Sequence, residues 1–537
     1  MEGAPPPSLA WPHDSRPTRP SPPRSTPGTG STPGATRRTP RPQRPGSRRA
    51  AAPARGPRLR RTPADPGPRR GRRPRGGVPG GHRPSRRGGG PDPRHGGRPR
   101  AGVRHHPGGE PVTERTPMAV ASVSKSFTAL AVLQLVEAGE LGLDDPLREH
   151  LPEFTMADPR AARITVRQLL DQTSGMSDSE FASYSRGRST LTLRQSVEDL
   201  RDAGLAAEPG TRWEYHNPNF QVAARLVEVV GGRSFADHLD ERVLSPLGMD
   251  DTTTVDTDLD LPSGARGHIS VLGLPFPADE PPGFGNGSGG VISTAADMGA
   301  WLVAHNNGGR GPGGERILSE EGIEALHTPS PVSGGSYALG WSTDETGSGA
   351  PVVEHSGNLM TATAHQALLP ESGHGVAVTA NSGSAGSGAS ALAAALVELI
   401  DSGRAPVPPT GTLVLVADAV LLALGAAAVP LAWRGVRRAG DWARARGGRP
   451  WWAAAARLLP CTAPPLLLAV LHEVVGWLYR GRDVAWFQVP YLFTSFWAAL
   501  ALLALACATV ASVRVVRLVS VRRGTGGTGG RAERASG

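Results

Sequence analysis

Ser122 and Lys125 stand three residues apart in the stretch Ala121–Leu143, ASVSKSFTALAVLQLVEAGELGL. From Phe127 the apolar residues Phe127, Leu130, Ala131, Leu133, Leu135 and Val136 recur at helical spacing, and Gly139 and Gly142 end the pattern. The spacing predicts a buried helix with Ser122 and Lys125 on one face of its first turn. A serine hydroxyl becomes a nucleophile only when a neighbour takes its proton. The helix N-terminus adds a positive field and free backbone N–H groups at the same place. Lys125 is the one lysine in the chain; every other basic side chain is arginine or histidine. Arginine keeps its proton in proteins, whereas a desolvated lysine can release it. An amine kept here alone, beside a serine, points to a nucleophile and its base.

Two further groups carry chemistry. Tyr215-His216-Asn217 falls on a loop ahead of a helix. A phenol beside an ammonium ion gives up its proton more readily, so Tyr215 is a candidate proton relay. Asn217 offers an amide to orient substrate or Lys125. His355-Ser356-Gly357 falls on a strand. Gly357 there lets a ligand backbone approach, and the N–H groups of Asn358 and Ser122 are candidates for an oxyanion hole. Taken singly, each group has a bland alternative: a chance S-x-x-K, a loop tyrosine, an exposed strand histidine. His365 and His374 are read as structural or solvated. The two cysteines, Cys461 and Cys507, lie in apolar segments, so neither a disulfide framework nor a Cys-based metal site is expected. No metal or cofactor is expected.

The elements that must position these groups follow from the pattern. Helices are expected at Ile164–Met176, Leu193–Ala203, Gln221–Gly232 and Phe235–Leu244, with another running from a cap at 293–297 to about His305. From Ser336 the period changes. SYALGWST, PVVEHSG, ATAHQALLP and HGVAVTAN read as four strands, and Ser387–Gly403 as a closing helix. The expected class is α/β (α+β): an antiparallel sheet flanked by helices, with a helical subdomain, over residues 111–405.

The flanks differ. Residues 1–110 are dense in Arg, Pro and Gly, with one Trp and no Phe, Tyr or Ile. Such a segment cannot bury enough apolar surface to fold. It reads as a disordered polycationic arm, or as a GC-rich gene read in the wrong frame. It has no apolar h-region, so no secretory signal is visible. Residues 406–537 read as a membrane region of three spans, Gly411–Trp433, Leu458–Leu478 and Val489–Val513, with aromatic residues near their ends. Arg434, Arg437, Arg438, Arg444, Arg446 and Arg449 follow the first span, and Arg514, Arg517, Arg522 and Arg523 follow the third. The 479–488 loop has only Arg480 and Arg482, with Asp483. The arginine-rich sides are expected to be cytoplasmic and the body, residues 111–405, extracytoplasmic, at the cell membrane. Asp418, His472 and Glu473 are ionisable within these spans, a functional flag in general; a structural pairing within the bundle is the favoured reading. Net charge is +10. The excess arginine lies in the arm and the juxtamembrane loops, so nucleic acid is not an expected partner.

Ser122-x-x-Lys125, Tyr215-x-Asn217 and His355-x-Gly357 come in the order and rough spacing of the serine β-lactamase and penicillin-binding protein superfamily. The stretch from about Glu110 to Ile400 resembles its class C-like branch, which includes D-alanyl-D-alanine carboxypeptidases and esterases. Accompanying stretches are similar too, among them ITVRQLLDQTSG, PGTRWEYHN, SPLGMDDTT and GGVISTAADM. The resemblance implies a β-lactamase/transpeptidase-like fold with Ser122 as acylated nucleophile. Lys125 and Tyr215 would share the proton work, Asn217 would hold substrate, and His355, Gly357 and Asn358 would line the substrate strand. Substrates would be β-lactams, D-alanyl peptides or short esters. Histidine in place of the lactamases' usual lysine leans toward esterases and peptidases. Two departures stand out: Asn358-Leu359-Met360-Thr361 replaces a glycine-rich stretch, and the family's leading helix and two strands fall in the Arg/Pro/Gly arm. The latter leaves open a catalytically silent binding or sensing domain on a membrane anchor.

Overall fold

Apolar residues at helical spacing put helix α1 (Ser124–Glu137) in the middle of the core, with Phe127, Leu130, Ala131 and Leu133 buried. A 3-10 turn, Ala121–Val123, leads into it. The computed structural model describes residues 111–183, 186–383, 388–404, 406, 411–478 and 484–532, from 524 onward by backbone alone. The arm 1–110, most of the Pro-rich linker, and Arg480, Arg482 and Asp483 lie outside the described residues.

Helices α2 (Val166–Leu170), α3 (Leu193–Glu198), α4 (Asn217–Gly231) and α5 (Ala295–Asn306) share the core with α1. Thr165 and Gln168 form a capping box on α2, and Thr294 caps α5 through the Asp297 N–H. The expected helix Ile164–Met176 is therefore short. It stops because Gln172 takes a left-handed φ of 61° and the chain turns toward α4. Phe127 stacks on Trp301 of α5 with ring centroids 3.9 Å apart, which ties α1 to the sheet side of the core.

The main sheet has antiparallel order β6-β7-β8-β9, with β6 Ser342–Glu345, β7 Pro351–Asn358, β8 Thr363–Leu369 and β9 His374–Ala380. All of β8 is buried because both faces are covered. Ala364 and Leu368 face the α1 core, whereas Ala367 and Leu369 face α6 (Gly388–Ser402). The first strand begins at Ser342, not Ser336. Before it, Tyr337–Trp341 turns inward, with Gly340 at φ +75° pressed against the Lys125 carbonyl. Among the described residues, no further strand pairs with the outer edge of β9. Two small sheets complete the domain. One has order β1-β5-β2 (Met118–Ala119, Val291–Ser293, Thr253–Thr254). The other has order β10-β3-β4 (Ser382–Gly383, Gly267–Val271, Leu274–Ala278). The fold is mixed α/β.

Two C-terminal helices are long and apolar enough to cross a membrane: α7 (Thr412–Arg437) and, within α8 (Thr494–Ala532), residues Thr494–Arg523. They run parallel. Gly425 lies against Ala499, and Gly435 against Val510. The expected second span is not one continuous helix. Trp451–Leu458, Ala463–Ala469 and Leu471–Leu478 are separate pieces. Pro460, Pro464 and Pro465 remove the N–H donors that a continuous helix needs. Ala454 packs by Leu518, while Leu471 and Val475 pack by Leu500. The pieces thus run antiparallel to α8 over 18 residues of its length, about 27 Å at helical rise.

Candidate active site

Ser122 sits in the turn before α1, and the residue before it is strained. Ala121 has φ 51°, a left-handed conformation unusual for a residue with a Cβ. The neighbours hold it there. Ser124 Oγ donates to the Ala121 carbonyl at 2.6 Å and accepts from Val291 N–H at 2.9 Å, and Val120 N–H donates to the Val291 carbonyl. The second serine of S-V-S-K is thus a clamp between the nucleophile turn and β5. Ser126 Oγ donates to the Val123 carbonyl and accepts from Gln366 Nε2, fixing the same turn to β8.

Lys125 is fully buried. Its Nζ donates to Ser122 Oγ at 3.1 Å, Asn217 Oδ1 at 2.9 Å and the Ser288 carbonyl at 2.7 Å. An ammonium has three hydrogens, and each has an acceptor here. Tyr215 donates its phenol O–H to the same Ser122 Oγ at 2.8 Å, and Lys125 Nζ lies 4.8 Å from the Tyr215 ring centre. Four sequence-predicted residues, Ser122, Lys125, Tyr215 and Asn217, therefore converge within hydrogen-bond reach.

The Tyr215–Asn217 segment is held from behind. Asn217 and Pro218 open α4, with His216 in extended conformation just before them. The buried His216 ring meets Asp178 Oδ1 through Nδ1 at 2.9 Å. Gln172 Oε1 accepts from His216 N–H at 3.1 Å and from Asn219 Nδ2 at 2.5 Å. Its left-handed backbone, which ended α2 early, is what brings the amide to this place.

His355 lies at the same cluster, its ring centre 6.4 Å from that of Tyr215. It is buried, and both nitrogens meet protein partners. Nδ1 faces the Ser356 carbonyl at 2.7 Å, so it carries the proton; Nε2 then accepts from the Tyr337 hydroxyl at 3.1 Å. Burial, with a smaller push from Lys125, lowers the His355 pKa to about 3. Burial pushes the Tyr337 phenol well up, so Tyr337 stays a donor. His355 is neutral and offers no positive charge to a substrate carboxylate.

Gly357 has a structural reason to be bare. A Cβ there would stand 2.1 Å from the Val120 carbonyl oxygen. Its bareness lets β7 lie against the chain's own nucleophile turn. That approach places Asn358, exposed at the end of β7, next to the Ser122 turn. The Asn358-Leu359-Met360-Thr361 stretch folds as a tight turn, with Leu359 N–H donating to the Ala362 carbonyl. Glu280 fastens it, accepting from Met360 N–H, Thr361 N–H and the Thr361 hydroxyl.

Three contributors were not expected from the sequence: the Ser288 carbonyl, Gln172 and Tyr337. A partial signal existed for the first. Gly283–Gly290, GFGNGSGG, is too rich in glycine for a simple connector. Gly287, at φ +75°, has no room for a Cβ beside Phe220 and Ala224 of α4, and so Ser288 reaches Lys125. His365 is structural, bonding Glu354 and Ser390; His374 is exposed and bonds Ser372. A separate cavity of about 410 Å³, lined by Arg167, Asp171 and Glu324 among others, includes none of the clustered residues. Among the described residues, no group of His, Cys, Asp or Glu is arranged to hold a metal.

Residues 86–399 match the family model described as Beta-lactamase. "Penicillin-binding protein 4" of Amycolatopsis lactamdurans is 32% identical over 294 residues, covering 52% of this chain and 76% of that protein. "Protein flp" of Staphylococcus aureus (strain MW2) is 27% identical over 271 residues, covering 50% of this chain and 53% of its own length. The solved octameric penicillin-binding protein homologue from Pyrococcus abyssi aligns with TM-score 0.47 and 28% identity, over 55% of this chain and 68% of that one. With more than half of its length matched, and with a serine, a lysine and a tyrosine meeting at one hydroxyl oxygen, this chain belongs to the beta-lactamase family.

Proposed function

We propose that residues 111–405 are a serine hydrolase of the class C-like branch, acting through an acyl-enzyme on amide or ester substrates: a β-lactam, a D-alanyl peptide or a short ester. The observation that carries this reading is the sharing of one oxygen, Ser122 Oγ, between Lys125 Nζ and the Tyr215 phenol. In the reacting form Tyr215 has given its proton to solvent; the Lys125 cation beside it, with an acceptor for each of its hydrogens, favours that phenolate, and Ser122 then donates to it. Ser122 Oγ attacks the carbonyl carbon while its proton passes to the Tyr215 oxygen. Tyr215 then returns that proton to the departing nitrogen or oxygen as the carbon–leaving-group bond breaks. Water, deprotonated by the same phenolate, then attacks the acyl carbon, and Tyr215 returns that proton to Ser122 Oγ as the ester bond to Ser122 breaks. The N–H groups of Ser122 and Asn358 would receive the oxyanion, and Asn217 would orient the substrate.

The neutral His355 offers no cation to a substrate carboxylate, which favours esters and amides that carry none. The test is intact mass after incubation with a penicillin and, separately, an activated ester. A stable mass gain with either one supports the hydrolase, and the preferred reagent names the substrate class. Absence of any gain favours the second reading, a silent binding or sensing domain. One observation leans that way: among the described residues the sheet has four strands and an unpartnered β9 edge.

The region 406–537 is proposed as a three-pass anchor in the cell membrane. Parallel α7 and α8 need a return path between them, and the broken segment 451–478 supplies one of suitable length. Arg434 and Arg437 end α7 on the side where Arg522 Nη2 donates to the Arg449 carbonyl, which favours that side as cytoplasmic and the hydrolase as extracytoplasmic. Lipid and a small-molecule or peptide substrate are the partners this reading needs; nucleic acid is not one.

A further inference from the structure

We infer that the β3–β4 hairpin of the hydrolase domain dips into the outer leaflet of the bilayer as a second membrane contact. The inference rests on the reading of α7 as a membrane-spanning helix.

The hairpin tip fixes its own depth. Leu272 N–H donates to Asp418 Oδ2 at 2.9 Å, and Gly273 packs against Leu415. Asp418 is the seventh residue of α7, about 9 Å along the helix from Thr412. Between them Leu413, Val414 and Val416 are exposed, as a lipid-facing surface is. A tip bonded at Asp418 therefore lies below the level at which the apolar helix begins. The pairing also corrects the expectation for Asp418, whose partner is this backbone N–H and not a side chain of the helical bundle. A carboxylate in an apolar span needs such a donor.

The hairpin is built for an apolar surrounding. Its exposed side chains include Leu272, Leu274 and Phe276, with Leu274 59% exposed. The turn Leu272-Gly273 has positive φ at both positions, 52° and 71°, as a two-residue type I′ turn requires. Asn and Gly are the easy residues there. Leucine at the first is strained, yet it puts an apolar side chain at the tip.

The edge strand shows the same adaptation. β4 is the outer strand of its sheet, and its sequence is Leu-Pro-Phe-Pro-Ala. The register pairs Val271 with Leu274, Ile269 with Phe276 and Gly267 with Ala278. In a two-residue hairpin these are the hydrogen-bonded pairs. The backbone nitrogens of Pro275 and Pro277 therefore point outward, away from β3. Each is a position where another residue would leave an unpaired N–H in lipid, which costs several kcal/mol by general estimate, roughly the penalty for any unsatisfied group there. Prolines at those two places also prevent another strand from adding to the edge.

The hairpin's root leads to the active-site rim. His268 N–H donates to the Thr361 carbonyl at 3.1 Å, and Glu280, two residues past β4, holds the Met360–Thr361 turn. That turn follows Asn358. The membrane contact is thus one rigid connection away from the strand end beside Ser122.

The test uses the full chain, with Cys461→Ala and Cys507→Ala, in phosphatidylcholine–phosphatidylglycerol vesicles. Single cysteines Leu274→Cys, Leu424→Cys and Val229→Cys each carry an environment-sensitive fluorophore, and lipids with a nitroxide high on the acyl chain serve as quencher. Leu424 is an exposed residue midway along α7, and Val229 is an exposed residue near the C-terminal end of α4. Blue-shifted emission and nitroxide quenching at 274, with neither at 229, are expected. Quenching at 424 without quenching at 274 would overturn the inference and leave the anchor standing. Loss of quenching at both would overturn the inference together with the membrane reading on which it rests.

Discussion

The domain built around α1 and the helices α7 and α8 place opposite things inside. Around α1 the interior holds charge and hydrogen bonds: Lys125 with three acceptors, Gln366 between Ser126 and Trp301, and His355 between Tyr337 and Ser356. Along α7 and α8 the apolar side chains face outward, and small residues such as Gly425 and Gly435 face the partner helix. The first arrangement needs every polar group paired, because an unpaired one in a water-poor interior is costly. The second needs its backbone satisfied internally and tolerates almost any apolar side chain at the surface. A single polar change should therefore be felt strongly at the first, and a single charge at the second.

The largest effect is expected from Lys125→Met. It removes the one cation of the cluster and leaves Asn217 Oδ1 and the Ser288 carbonyl without their donor. Acylation by an activated ester should fall about 10³-fold, in the range of positioned acid–base groups. A fall of less than about tenfold would separate the buried lysine from the chemistry. Gly357→Ala comes next, because its Cβ would meet a backbone oxygen, which cannot swing away. A stability loss of about 3 kcal/mol is expected, of the size seen for severe overpacking. Thermal denaturation reads it. An unchanged midpoint would mean that β7 and the nucleophile turn are not pressed together.

Leu424→Arg addresses the outer surface of α7. An arginine at the centre of a span costs about 2.5–3.5 kcal/mol on insertion scales. The membrane-inserted fraction should drop while Ser122 acylation in the inserted fraction is kept. Unchanged insertion would mean that this face does not meet lipid. The last effect is a matter of pH. Burial lowers the pKa of His355 to about 3 and that of His238 and His327 to about 4. Each folded value lies below that of a free imidazole near 6.5, so the unfolded chain binds more protons in this range. Their contribution is complete above pH 6.5 and is lost progressively as pH falls toward 3. Urea midpoints should decline through that window, and His355→Gln should flatten the decline.

Much of the site was legible because its parts are local. S-x-x-K and Y-x-N each put two functional groups on adjacent backbone, so spacing alone implies their nearness. The lone lysine sharpened the first. The Ser288 carbonyl and the Gln172 amide were hidden, because they reach the cluster through tertiary paths: a glycine loop pressed on α4, and a left-handed residue ending α2. The approach of Val120 to Gly357 was hidden as well, because a sequence does not say which backbone comes close. The strands were legible from their alternation, but the first began six residues late, where Gly340 turns the chain onto α1. In the membrane region the apolar lengths were plain. The break at Pro460, Pro464 and Pro465 overrode apolar length in the second segment, since composition counts residues and proline removes donors. The partner of Asp418 lies 146 residues away in another domain, beyond any local pattern.

The most direct measurement is the site of acylation itself. The full chain and its Ser122→Ala variant are incubated with an activated ester, quenched in acid, digested and mapped by peptide mass. An acyl group on the peptide that carries Ser122, absent in the variant, is the expected result. An acyl group elsewhere, or equal labelling of both proteins, would contradict the assignment of Ser122 as the nucleophile held between Lys125 and Tyr215.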